Sequence, residues 1–181
     1  MAVTQVKIGG LGGQGVIMSG MILGKAASIF EDKSATMTQA FGPEARGSAV
    51  SCQVIVSDDQ VLYPYLVKAD ILCVMSQEAY NKYLPDLAED GLLLIEEELV
   101  TPTQEHDRIF GIPATRFAED LGRKMVVNIV MMGFFAAVTG LVSKEAALTA
   151  VRKTVPPKTI ELNSSAFEQG YQHGLKVAGK A

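Results

Sequence analysis

Two cysteines and two histidines in 181 residues leave this chain short of the side chains on which much enzyme chemistry rests. Cys52 and Cys73 each lie inside an apolar run, Val50 to Val56 and Ile71 to Met75, where a buried, reduced, cytoplasmic thiol is the expected state. Two distant cysteines and two isolated histidines do not make a zinc or iron–sulfur ligand set unaided. Nucleophilic catalysis fares no better, because a Ser, Cys or Thr nucleophile needs a base within reach, usually a histidine oriented by a third group. His106 sits in the polar stretch Thr103-Gln104-Glu105-His106-Asp107 and His173 in the last expected helix, and both read as surface histidines. Positive charge is in deficit too: 16 Lys and Arg against 20 Asp and Glu give a net charge of −4, without the basic footprint of a nucleic-acid partner. No basic segment followed by an apolar core marks a secretory signal, and a cytoplasmic location is expected.

What the chain does have is glycine in an ordered place. The apolar segment Val6-Lys7-Ile8 runs into Gly9-Gly10-Leu11-Gly12-Gly13-Gln14-Gly15, and Gly10, Gly12 and Gly15 fit G-x-G-x-x-G. In that pattern the glycines permit positive φ, let backbone N–H groups approach a pyrophosphate, and let the next helix pack closely on the strand. Strands are expected at 4–8, 34–38, 49–57, 71–75, 91–96 and 108–112. Helices are expected at 14–30, 77–84, 114–121, 126–139, 144–151 and 160–175, with Ser143 as an N-cap and Pro156-Pro157 as a break. The helix from Gln14 to Phe30 is apolar nearly all round, and Gly20, Gly24 and Ala27 on one face would let another backbone approach. Strands alternating with helices, then a helical tail, predict an α/β fold: one Rossmann-like domain over 1–181, a mostly parallel sheet with helices on both faces and a helical C-terminal part. The uncharged stretch Met125 to Val142 reads as a helix buried in the domain or between subunits rather than as a membrane span.

A dinucleotide reading makes a demand that the chain does not meet. An NAD-binding loop wants an acid at the end of the second strand, and that place reads Thr36-Met37-Thr38-Gln39-Ala40. Glu31 and Asp32 precede the strand, where a solvated helix end is expected, and the nearest arginine, Arg46, lies in the next loop. That weakens an NAD(P)- or nucleotide-binding module without removing it. The loop Gly42-Pro43-Glu44-Ala45-Arg46-Gly47 is the second unusual feature. In a doubly wound sheet it would share a crevice with the glycine loop, favouring an anion, with Glu44 fixing the direction of Arg46; closing a loop or meeting another subunit is the equal alternative.

Gly10-Leu11-Gly12-Gly13-Gln14-Gly15-Val16, the Gly42 to Gly47 block, Asn128 to Gly140, and Asn163, Ala166, Phe167, Gly170 and Tyr171 together resemble the gamma subunit of 2-oxoacid:ferredoxin oxidoreductases. The resemblance covers nearly the whole chain; the family's second block often ends in two glycines, where this chain has Gly47-Ser48. It implies a multisubunit, oxygen-sensitive, cytoplasmic complex that converts a 2-oxoacid and coenzyme A to acyl-CoA and carbon dioxide while reducing ferredoxin. Thiamine pyrophosphate with its Mg would lie on alpha and beta chains and iron–sulfur clusters on a ferredoxin-like chain, so this chain alone would be inactive, with no catalytic residue and no metal. The resemblance leaves the 2-oxoacid open among 2-oxoglutarate, pyruvate and branched-chain acids. It makes Gly10, Gly12, Gly13, Gln14, Gly15, Glu44 and Arg46 a ligand or subunit contact, with the phosphates of coenzyme A as one candidate. A structural subunit with an empty glycine loop, and a homodimer of the isolated chain, are the further alternatives.

Overall fold

The structure is a computed structural model that describes residues 3–41 and 48–180. Its strands are β1 (Val3–Leu11), β2 (Ser34–Ala40), β3 (Ala49–Ser57), β4 (Ala69–Val74), β5 (Leu87–Glu96) and β6 (Ile109–Ile112). The helices are α1 (Val16–Phe30), α2 (Gln77–Tyr83), α3 (Ala114–Asp120), α4 (Val127–Thr139), α5 (Lys144–Thr154) and α6 (Ile160–Val177). One sheet runs in the order β2-β3-β1-β4-β5-β6. β3 is antiparallel to both neighbours, β2 and β1, so it alone among the six runs against the rest, and the mostly parallel sheet expected from the sequence is present.

The sheet is covered unequally. Val6 and Ile8 of β1, Cys52 and Val54 of β3, Cys73 of β4 and Leu94 of β5 face a core closed by α1, α3, α4, α5 and α6. The other face carries a smaller cluster around Leu72, Val74, Leu93, Tyr80 and Tyr83, closed by α2. Burial on both faces is why β4 and the second half of β5 read as nearly continuous apolar runs. Lys7 on the second face is a buried cation satisfied by Asp86, whose Oδ2 accepts from Nζ at 2.6 Å, with the Tyr83 ring 4.5 Å away. Ser76 caps α2 and Ser143 caps α5, each accepting an N–H three residues on at 3.2 Å.

One expectation is narrowed and two are corrected. The uncharged stretch Met125 to Val142 was open to burial in the domain or between subunits, and the domain takes it: every residue from Asn128 to Val138 is buried within this one chain. The reason is α6: a methyl group on Gly133 would land on the Phe167 carbonyl, and one on Gly170 on the Val130 carbonyl, so the two backbones touch. That close crossing encloses α4, and the run of apolar residues serves the internal core. At the two glycines of the Gly20, Gly24 and Ala27 face the nearest neighbours are not a second backbone: Gly20 abuts the side chains of Cys52 and Met37, and Gly24 faces open space. Glu31 is no solvated helix end either, because its carboxylate accepts the Ser143 N–H at 2.5 Å and a bond from Lys33 Nζ at 3.1 Å, tying α1 to the start of α5. Among the described residues no helix is long and apolar enough to cross a membrane.

Candidate functional site

The glycine loop lies at the carboxyl end of β1, between β1 and α1, and its shape is set by Gln14. The Gln14 side chain turns back into the loop: Oε1 accepts the Leu11 N–H at 2.6 Å, and Nε2 donates to the Met75 carbonyl at 2.8 Å. The Gln14 N–H donates to the Leu11 carbonyl (3.1 Å), the Gly12 N–H to Ser48 (3.3 Å), and the Met75 N–H to Gly9 (2.9 Å). Three loop N–H groups, those of Leu11, Gly12 and Gln14, are therefore already bonded inside the chain. A phosphate cradle leaves such donors for its ligand, so here part of the cradle is filled by an amide of the protein itself.

The glycines divide the work differently from the sequence expectation. Gly10 has no positive φ; it is small because a Cβ there would lie 2.7 Å from Gln14 Oε1 and 2.9 Å from Val16, which lets α1 pack down on the strand. Gly13 at φ 96° and Gly15 at φ 76° are the left-handed positions that favour glycine. Gly15 is the N-cap of α1 and offers no side-chain cap, and the first turn holds no acid, so the helix presents its N-terminus uncapped. The helix starts at Val16 rather than Gln14 because Gln14 and Gly15 are consumed in the turn.

Asn128 is the residue that sequence reasoning passed over as a site candidate. It is the lone amide in the apolar stretch, it is buried, and its Nδ2 donates to the Gly15 carbonyl at 3.4 Å while its side chain fills the space a Cβ on Gly15 would need. A buried polar side chain in such a run was the available signal. Asn128 also lines a cavity of about 340 Å³ with Met18, Arg123, Lys158, Thr159 and Asn163, two cations and no acid. Arg123 and Lys158 thus share a cavity with Asn128, the residue that touches Gly15, although neither was picked out in the sequence. Glu44 and Arg46 lie outside the described residues.

Other candidates separate from this place. His106 lies on the far side of α2, with Nε2 3.4 Å from the Tyr80 hydroxyl, and lines a cavity of about 620 Å³ with Glu89, Asp90, Glu105, Asp107 and Arg108 at the amino end of β5. His173 is half-buried against Phe117 and Phe134 with Nε2 3.2 Å from the Gly111 carbonyl, so it is a packed histidine rather than the surface one expected. Both thiols are buried; burial pushes Cys52 and Cys73 up to about 12, which keeps them protonated and poor nucleophiles. Among the described residues no group of three or more His, Cys, Asp or Glu could hold a metal ion.

The topology bears on the dinucleotide reading as well. With β3 inserted between β1 and β2, the end of β2 stands two strand spacings, about 10 Å, from the glycine loop. An acid there would not reach a ribose held over β1, and Gln39 and Ala40 are exposed at that end.

Residues 5–173 match the family model described as pyruvate ferredoxin/flavodoxin oxidoreductase. The 2-oxoglutarate synthase subunit KorC of Methanocaldococcus jannaschii is 41% identical over 172 residues, covering 93% of this chain and 92% of that one. Subunit VorA of the ketoisovalerate oxidoreductase of Methanothermobacter thermautotrophicus is 32% identical over 92% of this chain but only 35% of its own length, so the same unit also occurs inside a longer chain. The solved gamma subunit of a keto/oxoacid ferredoxin oxidoreductase from Geobacter sulfurreducens superposes with a TM-score of 0.85 at 40% identity, over 96% of this chain and 99% of that one. With the family model matched over residues 5–173 and the fold shared over most of both chains, the chain belongs to the pyruvate ferredoxin/flavodoxin oxidoreductase family and has the architecture of its gamma subunits.

Proposed function

We propose that this chain is the gamma subunit of a multisubunit 2-oxoacid:ferredoxin oxidoreductase, which oxidatively decarboxylates a 2-oxoacid with coenzyme A to acyl-CoA and carbon dioxide and passes the electrons to ferredoxin. The observation that carries the reading is full-length similarity to free-standing subunits of such enzymes. The substrate we favour is 2-oxoglutarate, from a 2-oxoglutarate synthase subunit at 41% identity, with pyruvate and branched-chain 2-oxoacids as the other members of the class. The assembly works in the cytoplasm. Its redox chemistry belongs to other chains: thiamine pyrophosphate with Mg on alpha and beta subunits, and iron–sulfur clusters on a ferredoxin-like subunit. Two buried, protonated thiols agree with that division, since cluster ligation requires accessible thiolates in sets.

The glycine loop residues Gly10, Gly12, Gly13, Gln14 and Gly15, with Glu44 and Arg46, form in this reading the contact to a ligand or partner, with the phosphates of coenzyme A as the ligand. An uncapped helix N-terminus at Gly15 and the cations Arg123 and Lys158 in the adjoining cavity support an anion there. Titrating the purified chain with CoA, NAD, NADP and FAD tests it: CoA alone should bind. In the assembled complex, Arg46→Ala should raise the KM for CoA or weaken assembly, and a change in neither removes Arg46 from the site. The internal bonding of Gln14 favours a second reading, in which the loop is a strut with no ligand. A complex that assembles and turns over normally with Gly13→Ser would favour the strut.

A further inference from the structure

We propose that the cavity of about 340 Å³ among α1, α4 and α6 binds a phosphate monoester, at a site distinct from the glycine loop. Two kinds of polar group line it. Arg123 and Lys158 stand at its exposed rim without an acid in the lining, and among the described residues neither forms an ion pair. On a chain of net charge −4, two unneutralised cations on one concave surface mark a place for an anion. Asn128 and Asn163 lie deeper, 3% and 6% exposed. Each spends one N–H on a main-chain carbonyl, that of Gly15 at 3.4 Å and that of Thr159 at 2.8 Å. A second N–H and the Oδ1 of each are left without a partner among the described residues. Neither Oδ1 is sealed from solvent, and for side chains this deeply buried the opening is the cavity they line. Buried amides are ordinarily used up by protein partners; two half-used ones in one wall suit a ligand that both accepts and donates.

The lining narrows the chemistry of that ligand. Met18, from the first turn of α1, lies in the wall, and that turn has neither a side-chain cap nor an acid, so the positive end of the helix adds to the field of the two cations. A phosphate monoester carries close to two negative charges at pH 7, which Arg123 and Lys158 together neutralise, whereas a single carboxylate leaves one cation over. The free amide N–H groups donate to phosphate oxygens, and the Oδ1 atoms accept N–H or O–H groups from the rest of the molecule. Val155, Pro156 and Leu162 face its apolar part. The glycine loop, by contrast, has already spent the N–H groups of Leu11, Gly12 and Gln14 inside the chain. The cavity is therefore the better phosphate site whether or not the loop touches coenzyme A.

Calorimetric titration of the purified full chain with phosphopantetheine, AMP, pantetheine and CoA tests the assignment. Phosphopantetheine or AMP should bind, and pantetheine, which lacks the phosphate, should bind at least about tenfold more weakly than phosphopantetheine. Lys158→Glu and Arg123→Glu, both at exposed positions, should each weaken the phosphate ester by about tenfold or more while circular dichroism reports a folded chain. Lys82→Glu makes the same change of charge at an exposed position of α2, on the other face of the sheet, and should leave binding unchanged. In NMR spectra of the wild type the side-chain amide signals of Asn128 and Asn163 should shift on binding. Competition by CoA would make the phosphates of the coenzyme the source, and its failure to compete would make the source a free phosphate ester; both keep the cavity as the site. No binding of either phosphate ester up to about 1 mM, or binding that moves neither amide signal and is indifferent to both charge reversals, overturns the proposal. CoA bound with an affinity that Lys158→Glu and Arg123→Glu leave unchanged, with the phosphate esters failing to bind, also overturns it and leaves the contact at the glycine loop standing.

Discussion

Gln14 decides the character of the glycine loop more than any glycine does. Its side chain bridges Leu11 and Met75, linking the ends of β1 and β4 across the first turn. Removing it as Gln14→Ala leaves the partly buried Leu11 N–H and Met75 carbonyl without their partners, which costs about 1–3 kcal/mol. Denaturant unfolding should show that loss, while Gln14→Glu should restore the bond from Leu11 and not the one to Met75. The glycines follow from sterics at single residues: Gly10 is required by the nearness of Gln14 and Val16, Gly13 and Gly15 by positive φ. From the sequence, the glycine pattern was legible and the role of Gln14 was not, because spacing does not say which N–H groups a side chain will take. Asn128 was hidden for a related reason: its position in an apolar run marks burial, but its neighbour Gly15 is 113 residues away in the chain.

Among the elements, the crossing of α4 over α6 sets the shape of the helical side. Val130, Gly133 and Phe134 meet Phe167, Gly170 and Gly174 so closely that main-chain atoms touch. Gly133→Ala should therefore destabilise the chain by at least about 3 kcal/mol, because the atoms in the way are backbone and do not rotate aside. Thermal melting measures it, and Gly24→Ala, in open space, is the control that should cost nothing. The motif residues Asn128 to Gly140 and Ala166 to Tyr171, which read in the sequence as two separate blocks, are one packing surface. Two carboxylates fasten elements around them. Burial alone would raise the Glu31 carboxyl, but hydrogen bonds from Ser143 and Lys33 override it and hold it below the usual carboxylate range. The bond from Lys144, helped by Gln172, holds Glu168 there against a smaller opposing effect of burial. Both groups bind protons more weakly folded than unfolded, so their stabilisation is present above the unfolded carboxylate pKa and is lost as pH falls through the folded one. Melting temperature should thus decline below about pH 5, and Glu31→Gln with Glu168→Gln should flatten that part of the decline.

For the whole molecule, the order and kind of the strands and helices were legible from apolar runs, caps and glycines, and so was a mostly parallel sheet, while β1, β5 and α5 run three or four residues past the expected ends. The reversal of β3 was not, since alternation of side chains is the same in either direction and only pairing in three dimensions settles it. That reversal puts β3 between β1 and β2 and takes the end of β2 out of reach of the glycine loop. The same placement leaves β2 at the edge of the sheet. In the proposed reading this chain positions and completes an enzyme whose redox centres lie on other subunits. The most direct measurement is the oxoacid- and CoA-dependent reduction of a low-potential acceptor by the partner subunits, with this chain added, omitted, or alone. The account predicts turnover with the chain present, little without it, and none from the chain by itself; full activity from the isolated chain, or undiminished activity in its absence, would contradict it.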